Sequence, residues 1–364
     1  MEIKVPYANL HRINSSIKSS IDSTMSQCIE NSQFINGPWV EQIESTLKER
    51  LHASVAGVGS GTAAQQLSLL ALGIGPGDEV LVPSMTFFST AETVSQVGAI
   101  PIFVDCELDY YCMDVKDFTR KITKKTKAVM PVDLYGQHAN LREIRNICDM
   151  YGLFLIQDSA QSFGSFHHSQ PVGSFADLAI HSFYPAKNFD CMGDGGAVSG
   201  SEELIDQIKR LRDHGRTEKY LHTQIGWNHR LDGLQASILC AKHPYVDQWN
   251  TNRQVNAEFY NVKLEDLPVT LPKTADYNTH VYNQYVIMTK NRDNVFKYLA
   301  SKGVQAGKQF PLGCHQQPAY NTGESLPNTE YVSKHCLSLP IYPLITQEEL
   351  NYVVDCLTEY FDSK

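Results

Sequence analysis

The chain has no apolar run long enough to cross a bilayer, no excess of basic residues and no cysteine pair at C-x-x-C spacing. Each absence removes a class of function. A membrane helix needs roughly 20 consecutive apolar residues, and no leader-like segment opens the chain, so a cytoplasmic location without membrane contact is expected. With 31 Lys and Arg against 40 Asp and Glu, the net charge of −9 argues against nucleic acid, whose phosphates demand a basic surface. The nine cysteines are scattered and odd in number, which predicts free thiols in a reducing compartment. His167-His168 and the other histidines show no ligand spacing on a helix face, so no metal is expected.

What remains is an ordinary globular composition, 42% hydrophobic and 20% charged, over 364 residues. That length exceeds a single core and predicts two domains. Helical stripes such as Val40, Ile43, Leu47 and Leu141, Ile144, Cys148 alternate with short apolar segments at Val80–Val82, Ile102–Val104, Ala128–Val132, Leu153–Gln157 and Leu178–Ser182. Such alternation predicts an α/β fold with a mostly parallel sheet covered on both faces. The pattern changes after the helix Leu231–Ala236. A large domain is therefore expected over 1–245 and a smaller α+β domain over 246–364, with a strand at Gln284–Met288 and a terminal helix from Glu348 to Phe361.

Three segments carry chemistry. Lys187 stands in Ser-Phe-Tyr-Pro-Ala-Lys-Asn, after the apolar strand Leu178–Ile180 and before the turn Gly193-Asp194-Gly195-Gly196. A lysine at the mouth of a sheet can be desolvated, which frees its amine to attack carbonyls. Asp158 ends the central apolar run Leu153–Gln157, where open α/β sheets bind ligands; by itself it also reads as a helix cap. Gly59-Ser60-Gly61-Thr62 leads into a helix whose free N–H groups suit an anion, and the Rossmann spacing fails because Thr62 and Asp78 occupy the third glycine positions. An amine for an aldehyde, a carboxylate for a ring nitrogen and a phosphate cradle together read as a pyridoxal 5'-phosphate site.

These segments, with Gly75-Pro76-Gly77-Asp78, Pro83-Ser84-Met85-Thr86-Phe87, Leu134-Tyr135-Gly136-Gln137, Asp158-Ser159-Ala160-Gln161, His214-Gly215-Arg216 and Asn228-His229-Arg230-Leu231-Asp232, follow one another along nearly the whole chain. In that order they resemble the DegT/DnrJ/EryC1/StrS sugar aminotransferases, which have the fold-type-I, aspartate aminotransferase-like architecture. The resemblance implies that Lys187 carries the Schiff base, Asp158 pairs with the pyridinium nitrogen, Gln161 bonds the ring hydroxyl and Phe87 stacks on the ring. Phe87 taken alone reads more readily as core. Gly61, Thr62 and Ser182 are then expected at the phosphate, joined by Asn228 from a partner subunit in a homodimer with shared sites. Tyr184, Arg216, Arg230 and His315 are expected at the substrate, and the stretch with His214, Arg216, Lys219, His222, His229 and Arg230 supplies cations for an anionic one.

By the same resemblance the donor is L-glutamate and the acceptor a nucleotide-linked keto-sugar, in deoxyamino-sugar and polysaccharide biosynthesis. Tyr184-Pro185-Ala186-Lys187-Asn188 with Gly193-Asp194-Gly195-Gly196 is similar to the subgroup that aminates C3 of a 3-keto-6-deoxyhexose or 3-keto-uronic sugar. Phe189-Asp190 departs from that pattern, and Gln309–His315 matches it loosely. A 4-keto-sugar or cyclitol aminotransferase and a non-catalytic pyridoxal phosphate-binding regulator stand as alternatives. A C3 dehydratase is disfavoured because it carries His where Lys187 stands.

Overall fold

A computed structural model describes residues 2–363. The apolar segments form a seven-stranded sheet from β1 (Ser54–Val58), β2 (Glu79–Pro83), β3 (Ile100–Val104), β4 (Thr126–Val129), β5 (Phe154–Asp158), β6 (Leu178–Ser182) and β7 (Gly196–Gly200). Their order is β1-β7-β6-β5-β4-β2-β3. β7 runs antiparallel to both neighbours and every other pairing is parallel. The inner strands such as β2 and β6 are buried on both sides, which is why they read as continuous apolar runs rather than alternating ones. The segment expected over Ala128–Val132 pairs regularly only to Val129, since Pro131 has no N–H to donate; one bridge resumes at Val132 opposite Asp158.

Helices cover both faces. Pro38–Leu51 turns Val40, Ile43 and Leu47 inward, with Trp39 and Leu51. Each such side chain contributes about 1.5–3 kcal/mol by leaving water. Leu141–Tyr151 buries Leu141, Ile144 and Cys148 and stops at Gly152, whose φ of 66° is left-handed. All nine cysteines are unpaired, and all but the partly exposed Cys240 are buried. Among the described residues no helix is long and apolar enough to cross a membrane.

The smaller core is built around an antiparallel pair, Tyr285–Met288 with Cys336–Leu339, and the helices Val246–Leu264 and Gln347–Asp362. Residues from the expected 1–245 domain also join this core, beside those of 246–364. Val5, Ile13, Ile17 and Ile21 from the start of the chain pack into this same core, beside Tyr260, Val295, Leu339 and Leu357. Val5 also bridges to Val304. The helices Leu10–Ser16 and Lys18–Glu30 carry few apolar residues, and those few gain most by joining a core made by the other end of the chain.

Candidate active site

The carboxyl ends of β1, β2, β5 and β6 open on one cavity of about 600 Å³. Its walls include Ser60, Gly61 and Thr62 after β1, Thr86 and Phe87 after β2, Asp158 and Gln161 at β5, and Ser182, Tyr184 and Lys187 at β6. Parallel strands bring these ends together because all their carboxyl termini point the same way.

Lys187 is half-buried, its accessible part turned to the cavity, with enough protein around it to hold the amine down at about 8. Burial is the main cause, and the charge of Asp158 opposes it. A lysine so placed has far more neutral, nucleophilic amine near neutral pH than one in water. The residue before it, Ala186, has a φ of 80°. A left-handed backbone costs an L-residue roughly 1–2 kcal/mol, so this turn is held by its surroundings.

Asp158 is 3% exposed. Burial raises its pKa, against the Ala160 N–H that donates to Oδ1 over 3.1 Å and Gln65 Nε2 that donates to Oδ2 over 2.7 Å. Thr90 Oγ1 donates to the same Oδ2 at 3.4 Å. A carboxylate desolvated in this way gains most from a cationic N–H partner in the cavity. Gln161 accepts the Tyr135 N–H on Oε1 at 2.9 Å, which leaves its NH₂ as the end free to donate. Gln65, Thr90 and Tyr135 were not expected from sequence. Gln65 lies one turn into an apolar-looking helix, and only its nearness to Asp158 reveals its part.

The turn expected to receive an anion lies on the cavity wall. Ser60 caps the helix Gly61–Ala71 by accepting the Ala63 N–H at 3.0 Å, and the Gly61 and Thr62 N–H groups, first in the helix, have no acceptor within it. A Cβ on Gly61 would lie 2.8 Å from Ser182 Cβ, and one on Gly196 would lie 2.6 Å from the Ser60 carbonyl. Glycine at both places lets the Ser182 hydroxyl and the helix N-terminus converge. An amine, a buried carboxylate and a neutral-donor cradle around one cavity fit pyridoxal phosphate.

Phe87 is 58% exposed on the cavity wall, its ring 6.3 Å from that of Phe310, so it is not a core residue. Tyr184 lines the same wall. Four expected residues stand apart from this chain's cavity. Arg216 and Arg230 both bind Asp213, Arg230 over 2.5 Å; burial raises the Asp213 pKa, yet the two guanidiniums hold it below the usual range. Asn228 bridges to Asp213 beside them. His315 is 2% exposed, its Nδ1 is 2.6 Å from Ser84 Oγ, and it does not line this chain's cavity. The short helical turn Cys314–Gln316 points the imidazole inward, where burial lowers its pKa against the pull of Glu330.

Comparison with known proteins places this arrangement. A family model described as the DegT/DnrJ/EryC1/StrS aminotransferase family matches residues 15–358. A protein of Geobacillus stearothermophilus named pleiotropic regulatory protein is 36% identical, the match covering 99% of each chain. The dTDP-3-amino-3,4,6-trideoxy-alpha-D-glucose transaminase of Streptomyces venezuelae is 35% identical over 98% of this chain and 96% of its own. NtdA of Bacillus subtilis, solved with the cofactor PMP bound, superposes with a TM-score of 0.93 at 31% identity, covering 100% of this chain and 86% of that one.

Proposed function

Because the chain belongs to the DegT/DnrJ/EryC1/StrS aminotransferase family, we propose that it transfers an amino group from L-glutamate to C3 of a nucleotide-linked keto-sugar. The observation that carries this reading is the convergence of Lys187 and Asp158 on one cavity. Pyridoxal phosphate, when bound, supplies an electron sink for breaking bonds at the donor's α-carbon.

The chain's own residues do the rest. Lys187 would hold the cofactor through its amine and, once that amine is free, would move the donor's α-proton across the intervening nitrogen to the cofactor carbon. Asp158 would keep a proton on the ring nitrogen, and the Gln161 NH₂ would donate to the ring hydroxyl. Gly61, Thr62 and Ser182 would hold the phosphate, while Phe87 would cover the ring and Tyr184 would meet the substrate. Among the described residues lining the cavity, Lys187 is the only Lys, Arg or His. A dicarboxylate donor and a nucleotide diphosphate require more positive charge than one lysine supplies. We assign that charge to Arg216 and Arg230 of a second copy, with Asn228 beside them at the phosphate, so that a homodimer shares its two sites.

The test is a two-stage incubation. Protein loaded with pyridoxal phosphate is treated with L-glutamate, release of 2-oxoglutarate is measured, and the aminated cofactor form is then offered 3-keto- and 4-keto-sugar nucleotides. Consumption of the 3-keto compound supports the reading; consumption of the 4-keto compound alone overturns its regiochemistry. The regulatory name of one relative suggests a silent binder instead. An amine held near its working pKa beside a buried carboxylate favours chemistry, and a protein that releases no 2-oxoglutarate would be the silent binder.

A further inference from the structure

The peptide that carries Lys187 leaves the sheet after Ser182 and closes on itself at Cys191, whose N–H donates to the Phe183 carbonyl at 2.8 Å. Within this excursion the backbone turns left-handed at Ala186, immediately before the lysine. The Ala186 N–H donates to Asp190 Oδ2 at 3.2 Å, across the turn. The other oxygen of Asp190 accepts from Lys242 Nζ at 2.7 Å. Both side chains are sealed from solvent, Lys242 at 0% exposed and Asp190 at 4%. Lys242 closes the helix Gly233–Lys242, so the ion pair ties the turn to a rigid element.

We propose that Asp190 and Lys242 form a buried clamp that sets the left-handed turn at Ala186 and so aims the Lys187 amine into the cavity. They are positioning residues for the cofactor lysine, an inference that rests on the cofactor reading above. The chemistry explains why a charged pair suits this place. A carboxylate at Asp190 accepts the Ala186 N–H more strongly than a neutral group does, and a buried carboxylate needs a cation. Lys242 supplies that cation and has no other hydrogen-bond partner among the described residues. Asn188 Nδ2 fixes the far side of the lysine by donating to Asn250 Oδ1 and the Val281 carbonyl, at 2.7 and 2.8 Å. Lys187 is thereby held on both flanks, and neither flank is part of the cavity wall's chemistry.

Glycine provides the test, because it adopts a positive φ without help. Cofactor-free protein is mixed with pyridoxal phosphate and formation of the Lys187 adduct is followed by absorbance, with borohydride trapping and peptide mapping to confirm the site. Asp190→Ala is expected to slow adduct formation by about tenfold, and adding Ala186→Gly to it to restore most of the rate. An Asp190→Ala protein that reacts at the wild-type rate overturns the clamp. So does a double variant that recovers the wild-type melting temperature but not the rate. If Asp190→Ala does not fold, Asp190→Asn replaces it: it keeps an oxygen for the Ala186 N–H and loses the ion pair, with a severalfold slowing expected and an unchanged rate decisive against the proposal. Wild-type protein that forms no adduct defeats the cofactor reading itself, whereas normal wild-type reaction with an unaffected variant defeats only the clamp.

Discussion

Gln65 donates a side-chain N–H to Asp158 Oδ2 over 2.7 Å, joining the helix Gly61–Ala71 to the carboxylate that ends β5. The bond steers Asp158 and weakens its pull on a proton. Gln65→Leu is expected to leave Asp158 held by Ala160 and the longer Thr90 contact alone, and to change kcat severalfold with cofactor retained. Steady-state kinetics beside an absorbance measure of bound cofactor decide this; unchanged kcat would remove Gln65 from any part in the chemistry.

Asp158→Asn should retain pyridoxal phosphate and lose at least about a hundredfold in turnover, because an amide does not hold the ring nitrogen's proton. The half-reaction with L-glutamate alone reads it directly. Near-normal release of 2-oxoglutarate contradicts the assigned role.

Lys187→Ala should keep the cofactor through the helix N-terminus and turn over nothing. Borohydride reduction of wild-type protein followed by peptide mapping locates the attachment. A label on any other lysine sinks the assignment.

The depressed pKa of Lys187 has a consequence for stability. Its folded value of about 8 lies below the ordinary 10.5, so between those values the unfolded chain binds more protons than the folded one. Cofactor-free protein should therefore gain stability as pH rises through this window, the penalty being full below it. Lys187→Met is expected to raise the melting temperature of the cofactor-free form at pH 7, with the difference closing toward pH 10.5. Calorimetry at both pH values measures it, and equal shifts at the two would show that Lys187 packing rather than its charge is responsible.

Shared sites make a prediction about mixtures. Lys187→Ala and Asn228→Ala subunits, each nearly inactive, should on exchange form mixed dimers with one intact and one doubly damaged site, giving about a quarter of wild-type activity in a random mixture. No recovery, with exchange shown independently, would leave the site within one chain.

The sequence by itself determined the elements whose signal is local. The apolar runs around β2, β5 and β6 predict buried strands because a strand covered on both faces has no polar side to display, and the residues at their ends, Asp158 and Ser182, inherit their place from the strand. Gly61, Thr62 and Lys187 were legible for the same reason, each being tied to a turn or a strand end a few residues away. Tertiary structure alone decided what depends on distant chain segments. Asp158 meets Gln65 across 93 positions and Asp190 meets Lys242 across 52, and no periodicity records which of several polar residues will face each other once helices settle on the sheet. The N-terminal helices joined the far end of the chain because their sparse apolar face had to be completed by another core. The family resemblance puts His315 at the substrate, whereas in this chain the turn at Cys314–Gln316 sets its ring against Ser84: a side chain's direction is set by packing, which residue order specifies only through the whole fold.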